Sequence, residues 1–302
     1  MKPPFLNAGD RVEIVAPGAR LQSSELEVAL KTIGAWQLEV SLGQNVLNAT
    51  HSYLSGTDQQ RLSDIQRALN DPEIKAIFCA RGGYGTTRIL DSIDFTEFKK
   101  KPKWIVGFSD ITALHLALEH IGFESIHGIM PLLFGRPDTE TSIESLRKVL
   151  FGEEVALQSK GNQLSKPGVS EGRVIGGNLS LVVDSLGTRY ELNTEGKILL
   201  LEEVEEYRYK VDRMLIQLKR AGKFDSLSGL IVGYMTDIRE TGVPFGEELE
   251  EIVLDKVAEF DFPVAFGFPI GHDNPNIAWR HGALMELGVK PPSATLRPIT
   301  RV

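Results

Sequence analysis

Apolar and polar positions in the first half of the chain alternate between a strand-like and a helix-like period. Compact apolar runs predict strands at 12–16, 38–40, 76–80 and 104–108. Between them, apolar residues recur every three or four positions, as on one face of a helix. Two of these helices begin at predicted capping boxes, Ser24 with Glu27 and Thr57 with Gln60. Strands alternating with helices imply an α/β fold with a parallel sheet covered on both faces.

The pattern weakens between about 134 and 172 and then starts again. Further strands are predicted at 172–178, 198–201, 230–233 and 264–267. A strongly amphipathic helix is predicted at 211–218, and two other helices at 142–151 and 247–260. The chain from Ala283 onward predicts a hairpin that turns at 290–293. The sequence therefore predicts an N-terminal domain at 1–134, a linker at 135–171 and a C-terminal domain at 172–302.

Composition limits the classes of partner. The net charge is −8, from 33 basic and 41 acidic residues, and no basic block occurs, so no nucleic acid partner is expected. No apolar run approaches the ~20 residues of a membrane span, and no signal peptide is recognised. The single cysteine, Cys79, lies in an apolar strand and predicts an inert buried thiol in a reducing compartment. These features favour the cytoplasm.

Candidate chemistry lies where predicted strands end, which is where open α/β sheets place their active sites. A glycine-rich loop, 81–85, follows one strand, and Ser109 follows the next. Glu202 follows the apolar run at 198–201, and His272 lies shortly after the run at 264–267. Serine, acid and histidine are the three residue types of a hydrolytic triad, and their order along the chain is that of the α/β-hydrolases.

Each of these residues also has a simpler interpretation. Ser109 in Gly-Phe-Ser-Asp has the position of a nucleophile at a tight strand-to-helix turn, but a serine there is also a common helix cap. His272 sits in a loop rich in glycine, asparagine and proline and could be a surface histidine. Glu202 could instead form an ion pair with Arg208 or Arg213, and Glu203 is an alternative to Glu202 as the triad acid.

Other motifs are less specific. The loop 81–85 resembles a phosphate loop but lacks both the Walker Lys-Ser/Thr and the dinucleotide Gly-x-Gly-x-x-Gly pattern. His115 and His120 are expected to be packing residues, whereas His127 ends a predicted strand and is a candidate for supporting the site. No cluster has metal-ligand spacing, so neither a metal nor a cofactor is expected.

Taken together, the motifs resemble those of one known family, the LD-carboxypeptidases, serine peptidases that include the microcin C self-immunity proteins. The residues that carry the resemblance occur in order along nearly the whole chain, at 15–17, 53–58, 81–85, 107–110, 127–128, 176–179, 201–203, 209–215 and 267–272. Each motif is weak alone, and the ordered set is specific.

The resemblance implies two α/β domains, an N-terminal Rossmann-like domain and a C-terminal domain, with the active site in the cleft between them. It implies Ser109 as nucleophile, His272 as base and Glu202, directly after the apolar run, as the acid. It further implies a homodimer that removes terminal D-alanine from murein tetrapeptides during cell-wall recycling. In this hypothesis the backbone N–H groups of Gly83 and Asp110 hold the oxyanion.

A carboxypeptidase must also bind a free carboxylate. Arg81 is the candidate, because a guanidinium fork matches a carboxylate, and Gly82 and Tyr84 beside it are predicted to contact the peptide.

Two other functions remain open. An enzyme of the immunity branch would hydrolyse peptidyl or aminoacyl nucleotide amides and would need an aromatic platform for the base. Such a platform is expected from the junction or from a loop of the C-terminal domain. Trp279 is the only tryptophan in a predicted loop near His272 and is insufficient evidence for one. The chain also has no obvious long insertion after Gly177, and we favour the murein peptide. A protein that binds small peptides without hydrolysing them is the third possibility.

Overall fold

The computed structural model describes residues 1–299, which divide into two compact units. The first unit comprises Met1–Glu154 and Pro275–Arg280, and the second comprises Val155–Asn274 and the described residues from His281 onward. This division differs from the predicted one, in which a linker covers 135–171.

The predicted linker is shared between the two units because both halves of it have packing partners. A helix at Glu140–Leu150 belongs to the first unit, where Leu146 and Leu150 are completely buried. Residues from Val155 onward belong to the second unit, and Leu157–Gln158 forms a short strand there.

The elements follow one another in the order that the hydrophobic pattern predicts. In chain order the strands are β1 (Arg11–Val15), β2 (Glu39–Leu42), β3 (Ile74–Cys79), β4 (Trp104–Gly107), β5 (Ser125–His127), β6 (Leu157–Gln158), β7 (Gly168–Asn178), β8 (Ile198–Val204), β9 (Gly229–Thr236), β10 (Val264–Ala265), β11 (Trp279–His281), β12 (Leu284–Lys290) and β13 (Ser293–Pro298). The α-helices are α1 (Glu27–Ala35), α2 (Asp58–Asn70), α3 (Thr86–Leu90), α4 (Thr96–Lys100), α5 (Thr112–His120), α6 (Glu140–Leu150), α7 (Leu179–Asp184), α8 (Arg208–Arg220) and α9 (Leu249–Val257).

The sheet of the first unit has the strand order β11-β5-β4-β3-β1-β2. The pairs from β2 through β5 are parallel. The order 2-1-3-4-5 is that of a doubly wound α/β fold, in which ligands bind at the carboxyl ends of the strands where the winding reverses. Here the reversal lies between β1 and β3, so the loops that follow these two strands occupy the expected binding position.

The sheet of the second unit is mixed, with the order β10-β9-β8-β7-β12-β13-β6. Strands β7 to β10 pair in parallel, and their apolar residues are buried on both faces, including all four of Ile198–Leu201. Strands β12, β13 and β6 add antiparallel pairs, and β12 and β13 form the predicted hairpin. The predicted α/β class with a parallel sheet is confirmed.

One predicted helix start is confirmed and another is wrong. The Thr57 hydroxyl accepts a hydrogen bond from the N–H of Gln60, whose side chain accepts one from the N–H of Thr57. At the first helix, the reciprocal pair is Gln22 and Glu25, which opens a 3₁₀ turn ahead of α1, and not Ser24 with Glu27. Within the described residues, none of the helices combines the length and apolar character needed to span a membrane.

Candidate active site

Ser109 occupies a strained turn between β4 and α5. It starts a 3₁₀ turn, Ser109–Ile111, and has φ of +63°, a region that residues other than glycine rarely adopt. Such a conformation costs about 1–3 kcal/mol and persists only where the surrounding structure enforces it. The N-cap residue of this turn is Phe108, so Ser109 does not serve as the helix cap. The backbone therefore has the shape of a nucleophile elbow.

The glycine-rich loop after β3 packs directly against this turn. A Cβ atom on Gly82 would lie 3.0 Å from Ser109 Cβ and 3.1 Å from Ser109 Oγ, closer than ordinary side-chain contacts. Gly83, the next residue, is exposed and has φ of +91°. Glycine is needed at both positions, at Gly82 for the close approach and at Gly83 for the backbone conformation. The structure thus brings Ser109 together with two of the predicted loop residues.

Asp110 has separate roles for its backbone and its side chain. Its N–H lies in the first turn after Ser109, where N–H groups lack partners within the helix, and its nitrogen is 3.4 Å from the Cβ position of Gly82. Its buried carboxylate accepts hydrogen bonds from the hydroxyl (2.6 Å) and the N–H (3.0 Å) of Thr86, the first residue of α3. Burial raises the pKa of this carboxyl, and the bonds from Thr86 oppose that shift. The side chain therefore anchors α3.

The residues predicted to bind the peptide belong to the glycine-rich loop at 81–85. Arg81 is half-buried, and its Nη1 donates to the carbonyl oxygen of Arg20 at 2.7 Å. Tyr84 is 51% exposed. The structure adds Tyr53, whose hydroxyl oxygen is 3.0 Å from the Cβ position of Gly83. Tyr53 belongs to a motif of the family resemblance, but its place beside Gly83 depends on a long-range contact that local patterns do not reveal.

Two buried histidines lie close to the turn. His115 is fully buried, with Nε2 2.9 Å from the Gly107 carbonyl oxygen and Nδ1 2.8 Å from Ser125 Oγ. Burial lowers the pKa of His115 to about 4, so the ring is neutral at physiological pH and holds the end of β4 as a packing residue. His127 is also buried and stacks on Trp279, with ring centroids 5.3 Å apart.

In the second unit, Glu202 and His272 form a hydrogen-bonded pair. The carboxylate Oε2 of Glu202 lies 2.7 Å from Nδ1 of His272. The Glu202 side chain is completely buried in β8, whereas that of His272 retains 18% of its exposure. Arg208, the alternative partner considered for Glu202, forms ion pairs with Glu240 and Glu248 instead. The pair has the geometry of a triad base and its orienting acid.

Glu203 points to a different set of groups. Its carboxylate accepts hydrogen bonds from Asn178 Nδ2 (2.8 Å) and from both the N–H (2.8 Å) and the hydroxyl (2.6 Å) of Ser180. These bonds hold the start of α7 against β8. The sequence left the choice between Glu202 and Glu203 open, and in the structure it is Glu202 that contacts His272.

Glycines bring the chain close to Glu202. Gly271, immediately before His272, has φ of +124°, and a Cβ atom there would lie 2.8 Å from Glu202 Oε2. Gly233 on β9 approaches the carbonyl oxygen of Ile270 in the same way, with a Cβ-to-oxygen distance of 2.5 Å. The His272 loop can reach the end of β8 only because these positions lack side chains.

The electrostatics of His272 suit a general base. Burial opposes the charge on the imidazole, but attraction to Glu202 and the hydrogen bond to it outweigh burial, with smaller contributions from Glu203 and Glu205. The pKa of His272 is therefore raised above its ordinary value of 6.5. Among residues 1–299, no group of three His, Cys, Asp or Glu side chains is arranged to hold a metal ion.

Comparison with known proteins identifies the family. Residues 12–128 match the family model of the LD-carboxypeptidase N-terminal domain, and residues 171–287 match that of the LD-carboxypeptidase C-terminal domain. The chain belongs to the LD-carboxypeptidase family. The resemblance recognised in the sequence is confirmed.

Individual relatives are similar over nearly their whole length. A probable murein peptide carboxypeptidase of Bacillus subtilis is 39% identical over 293 residues, covering 93% of this chain and 90% of that protein. A murein tetrapeptide carboxypeptidase of Pseudomonas aeruginosa is 33% identical, covering 90% and 91%. The crystal structure of a muramoyltetrapeptide carboxypeptidase from Oxalobacter formigenes superposes with a TM-score of 0.88 at 25% identity, covering 96% of this chain and 99% of that one.

The immunity branch shares the fold. An MccF-like protein from Bacillus anthracis gives a TM-score of 0.86 at 21% identity, with each chain covered completely. Trp279, which was expected in a loop, is 1% exposed and lies in β11. Its ring is stacked on His127 within the first unit, so it is not available to a nucleotide base.

Proposed function

We propose that this protein is a serine LD-carboxypeptidase that releases the terminal D-alanine of murein tetrapeptides. The observation that carries the proposal is the backbone of Ser109, which holds a positive φ at a strand-to-helix turn beside a glycine-rich loop. The Glu202–His272 pair supports it by providing a base whose ring is oriented by a buried acid. The names and similarity of the relatives favour a murein peptide as substrate.

In the proposed acylation step, His272 removes the proton from Ser109 as Oγ attacks the carbonyl carbon of the L-centre. Nδ1 of His272 donates to Glu202, so a neutral ring carries its lone pair on Nε2, the nitrogen that takes the proton. The carboxylate of Glu202 then stabilises the imidazolium. Backbone N–H groups of Gly83 and Asp110 hold the oxyanion that forms, and each such donor contributes about 10²–10³ in rate.

The remaining steps return the enzyme to its starting state. His272 gives its proton to the departing amine, and D-alanine leaves as the carbon–nitrogen bond breaks. A water molecule, deprotonated by the same ring, attacks the acyl-enzyme and releases the shortened peptide. The cycle consumes one water, and Ser109 regains its proton.

The peptide-binding part of the proposal rests on the loop after β3. Arg81 binds the terminal carboxylate, and Gly82 and Tyr84 contact the peptide next to it. Arg81 is partly exposed, and the hydrogen bond from its Nη1 to the carbonyl oxygen of Arg20 holds the side chain while a guanidinium has further N–H groups to offer a ligand.

The proposal is tested by incubating the purified protein with L-Ala-γ-D-Glu-meso-diaminopimelyl-D-Ala and measuring D-alanine by mass spectrometry. Ser109→Ala is the paired variant, and Ser92→Ala, which alters an exposed serine of the same unit, is the control. We expect release by the wild type and by Ser92→Ala only. An aminoacyl sulfamoyl adenosine, assayed in parallel, tests the immunity-type alternative. Hydrolysis of that compound alone would contradict the murein assignment, and turnover of neither substrate would favour a binding protein.

The proposal extends to the cellular compartment and the oligomeric state of the protein. We propose that the protein acts in the cytoplasm as a homodimer, as the family resemblance implies. The sequence has one cysteine, Cys79, and so no internal disulfide, which is consistent with a reducing compartment. Light scattering coupled to size-exclusion chromatography measures the assembly, and a monomer at micromolar concentration would contradict the homodimer.

A further inference from the structure

Arg61 is a charged residue that is entirely buried in the first unit. It lies on α2, and its side chain has no exposed surface. Nη1 donates to the carbonyl oxygens of Pro17 and of Gly85, the latter at 2.8 Å, and Nη2 pairs with the carboxylate of Asp58. A buried guanidinium is expensive to desolvate and is tolerated where such acceptors compensate for the lost water.

The two carbonyl groups belong to the loops at the reversal point of the sheet. Pro17 lies just after β1, and Gly85 closes the glycine-rich loop after β3. Gly85 has φ of +142°, and a Cβ atom on it would be 3.0 Å from Arg61 Nη1 and 3.2 Å from the Cα atom of Gly18. One nitrogen therefore joins the two loops at a place where they are in close contact.

We propose that Arg61 is a positioning residue for the oxyanion-binding loop. This inference rests on the proposed function, in which Gly83 donates its N–H to the oxyanion. The N–H of Gly83 shares a planar peptide group with the carbonyl of Gly82, which accepts a hydrogen bond from the N–H of Ala19 at 3.2 Å, so its direction depends on how the loops after β1 and β3 are held together. By holding Gly85 two residues further on, Arg61 sets the conformation of the loop, and it acts on the reaction only through that loop.

The same helix offers a matched control. Arg67 lies on α2 and forms a two-pronged ion pair with Glu13, a residue of β1 whose side chain is 2% exposed. Replacing Arg67 by glutamine leaves a buried carboxylate unpaired, so we expect a loss of stability as well. Within residues 1–299, the Arg67 side chain bonds to Glu13 and not to either of the two loops.

The experiment compares wild type, Arg61→Gln, Arg61→Lys and Arg67→Gln. For each we would measure kcat and KM for the tetrapeptide, the thermal unfolding midpoint, and the inhibition constant of a peptidyl boronic acid that carries boron in place of the scissile carbonyl carbon. The boronate forms a tetrahedral adduct with the serine and so reports on oxyanion binding. We expect kcat of Arg61→Gln to fall about tenfold to a hundredfold below that of Arg67→Gln, because misplacement by 1 Å can cost ~10²-fold in rate.

The other readouts distinguish positioning from general stability. In Arg61→Gln the affinity for the boronate should weaken by the same factor as kcat falls, and KM should change little. Arg61→Lys should recover part of the lost kcat and part of the lost boronate affinity. If Arg61→Gln does not fold, the comparison of Arg61→Lys with Arg67→Gln decides in the same way. Equal kcat values in the Arg61 and Arg67 variants would overturn the role of Arg61, whereas a wild type that releases no D-alanine would contradict the proposed function itself.

Discussion

The surroundings of Ser109 in the first unit differ from those of His272 in the second. At Ser109 the backbone carries the arrangement, through a positive φ and through Gly82, which lacks the side chain that would collide with the serine. At His272 the arrangement depends on a side chain instead: the buried carboxylate of Glu202 holds the imidazole by a hydrogen bond of 2.7 Å.

This difference predicts how the surroundings of Ser109 and of His272 respond to substitution. A strained backbone is fixed by many small packing contacts, so its geometry survives removal of the Ser109 hydroxyl. A buried carboxylate is compensated by few groups, so removing its charge alters both the orientation and the pKa of the ring that it contacts. Substitution of Ser109 should therefore remove a reactive group without changing the backbone, whereas substitution of Glu202 should change the orientation and the pKa of His272.

The largest expected effect tests whether the two regions act as one catalytic unit. Ser109→Ala and His272→Ala should each lower kcat by up to about 10⁶, and the double variant should be no slower than either, because triad members act together. D-alanine release under single-turnover conditions measures the rates, and circular dichroism checks that the fold is kept. Additive losses in the double variant would show that the two residues serve separate functions.

Adjacent glutamates provide the next test. Glu202→Gln should lower kcat by about 10⁴, because an amide at this position favours the wrong tautomer of His272. Glu203→Gln should leave kcat nearly unchanged and lower the free energy of unfolding by about 1–3 kcal/mol, since its buried bonds to Asn178 and Ser180 are disturbed. Urea denaturation and steady-state kinetics of both variants give the comparison. The opposite pattern would make Glu203 the triad acid.

Much of this arrangement can be predicted from local sequence. The apolar runs before Ser109 and Glu202 are short and continuous. Each belongs to a parallel strand of its own sheet, and open α/β sheets place functional residues at the carboxyl ends of such strands. The chain order and the glycine-rich loop then identify candidate residues. Local sequence does not show which distant side chain each residue contacts. For this reason the pattern alone could not distinguish Glu202, which contacts His272, from Glu203, which contacts Asn178.

The features that were missed depend on tertiary contacts. Arg61 bonds to carbonyl groups 44 and 24 residues away, and a surface-like helix position gives no sign of this. Trp279 was expected in a loop, but it joins the edge of a sheet as part of a three-residue strand too short to show a period. Gln22 caps the first helical turn in place of Ser24 because capping depends on where the turn begins.

A smaller effect is expected at Arg81. Arg81→Ala should raise KM for the tetrapeptide about tenfold to a hundredfold, the range that corresponds to one charge-assisted hydrogen-bonded contact, and should change kcat much less. The KM of Arg81→Lys should lie between those of the wild type and Arg81→Ala, because an ammonium keeps the charge without the planar fork of a guanidinium. Initial rates over a range of peptide concentrations measure the change. An unchanged KM in Arg81→Ala would remove Arg81 from the carboxylate site.

The smallest effect concerns pH. In the proposed mechanism His272 must be neutral to act as the base, so kcat/KM should fall on the acid side with a midpoint above 6.5, the ordinary pKa of histidine. Glu205→Gln should lower this midpoint slightly while leaving the plateau rate unchanged, since Glu205 makes only a minor contribution to the raised pKa of His272.

Stability should depend on pH in the opposite direction to activity. A raised pKa means that folding favours charged His272. The resulting stabilisation is complete below the unfolded value of about 6.5 and is lost as pH rises through the folded pKa. The protein should thus gain activity over the same interval in which it loses this contribution to stability. Thermal unfolding and kcat/KM measured across that interval test both signs, and Glu202→Gln should abolish the stability change. An acid midpoint at or below 6.5 would mean that Glu202 does not hold the charged ring, and that burial alone governs His272.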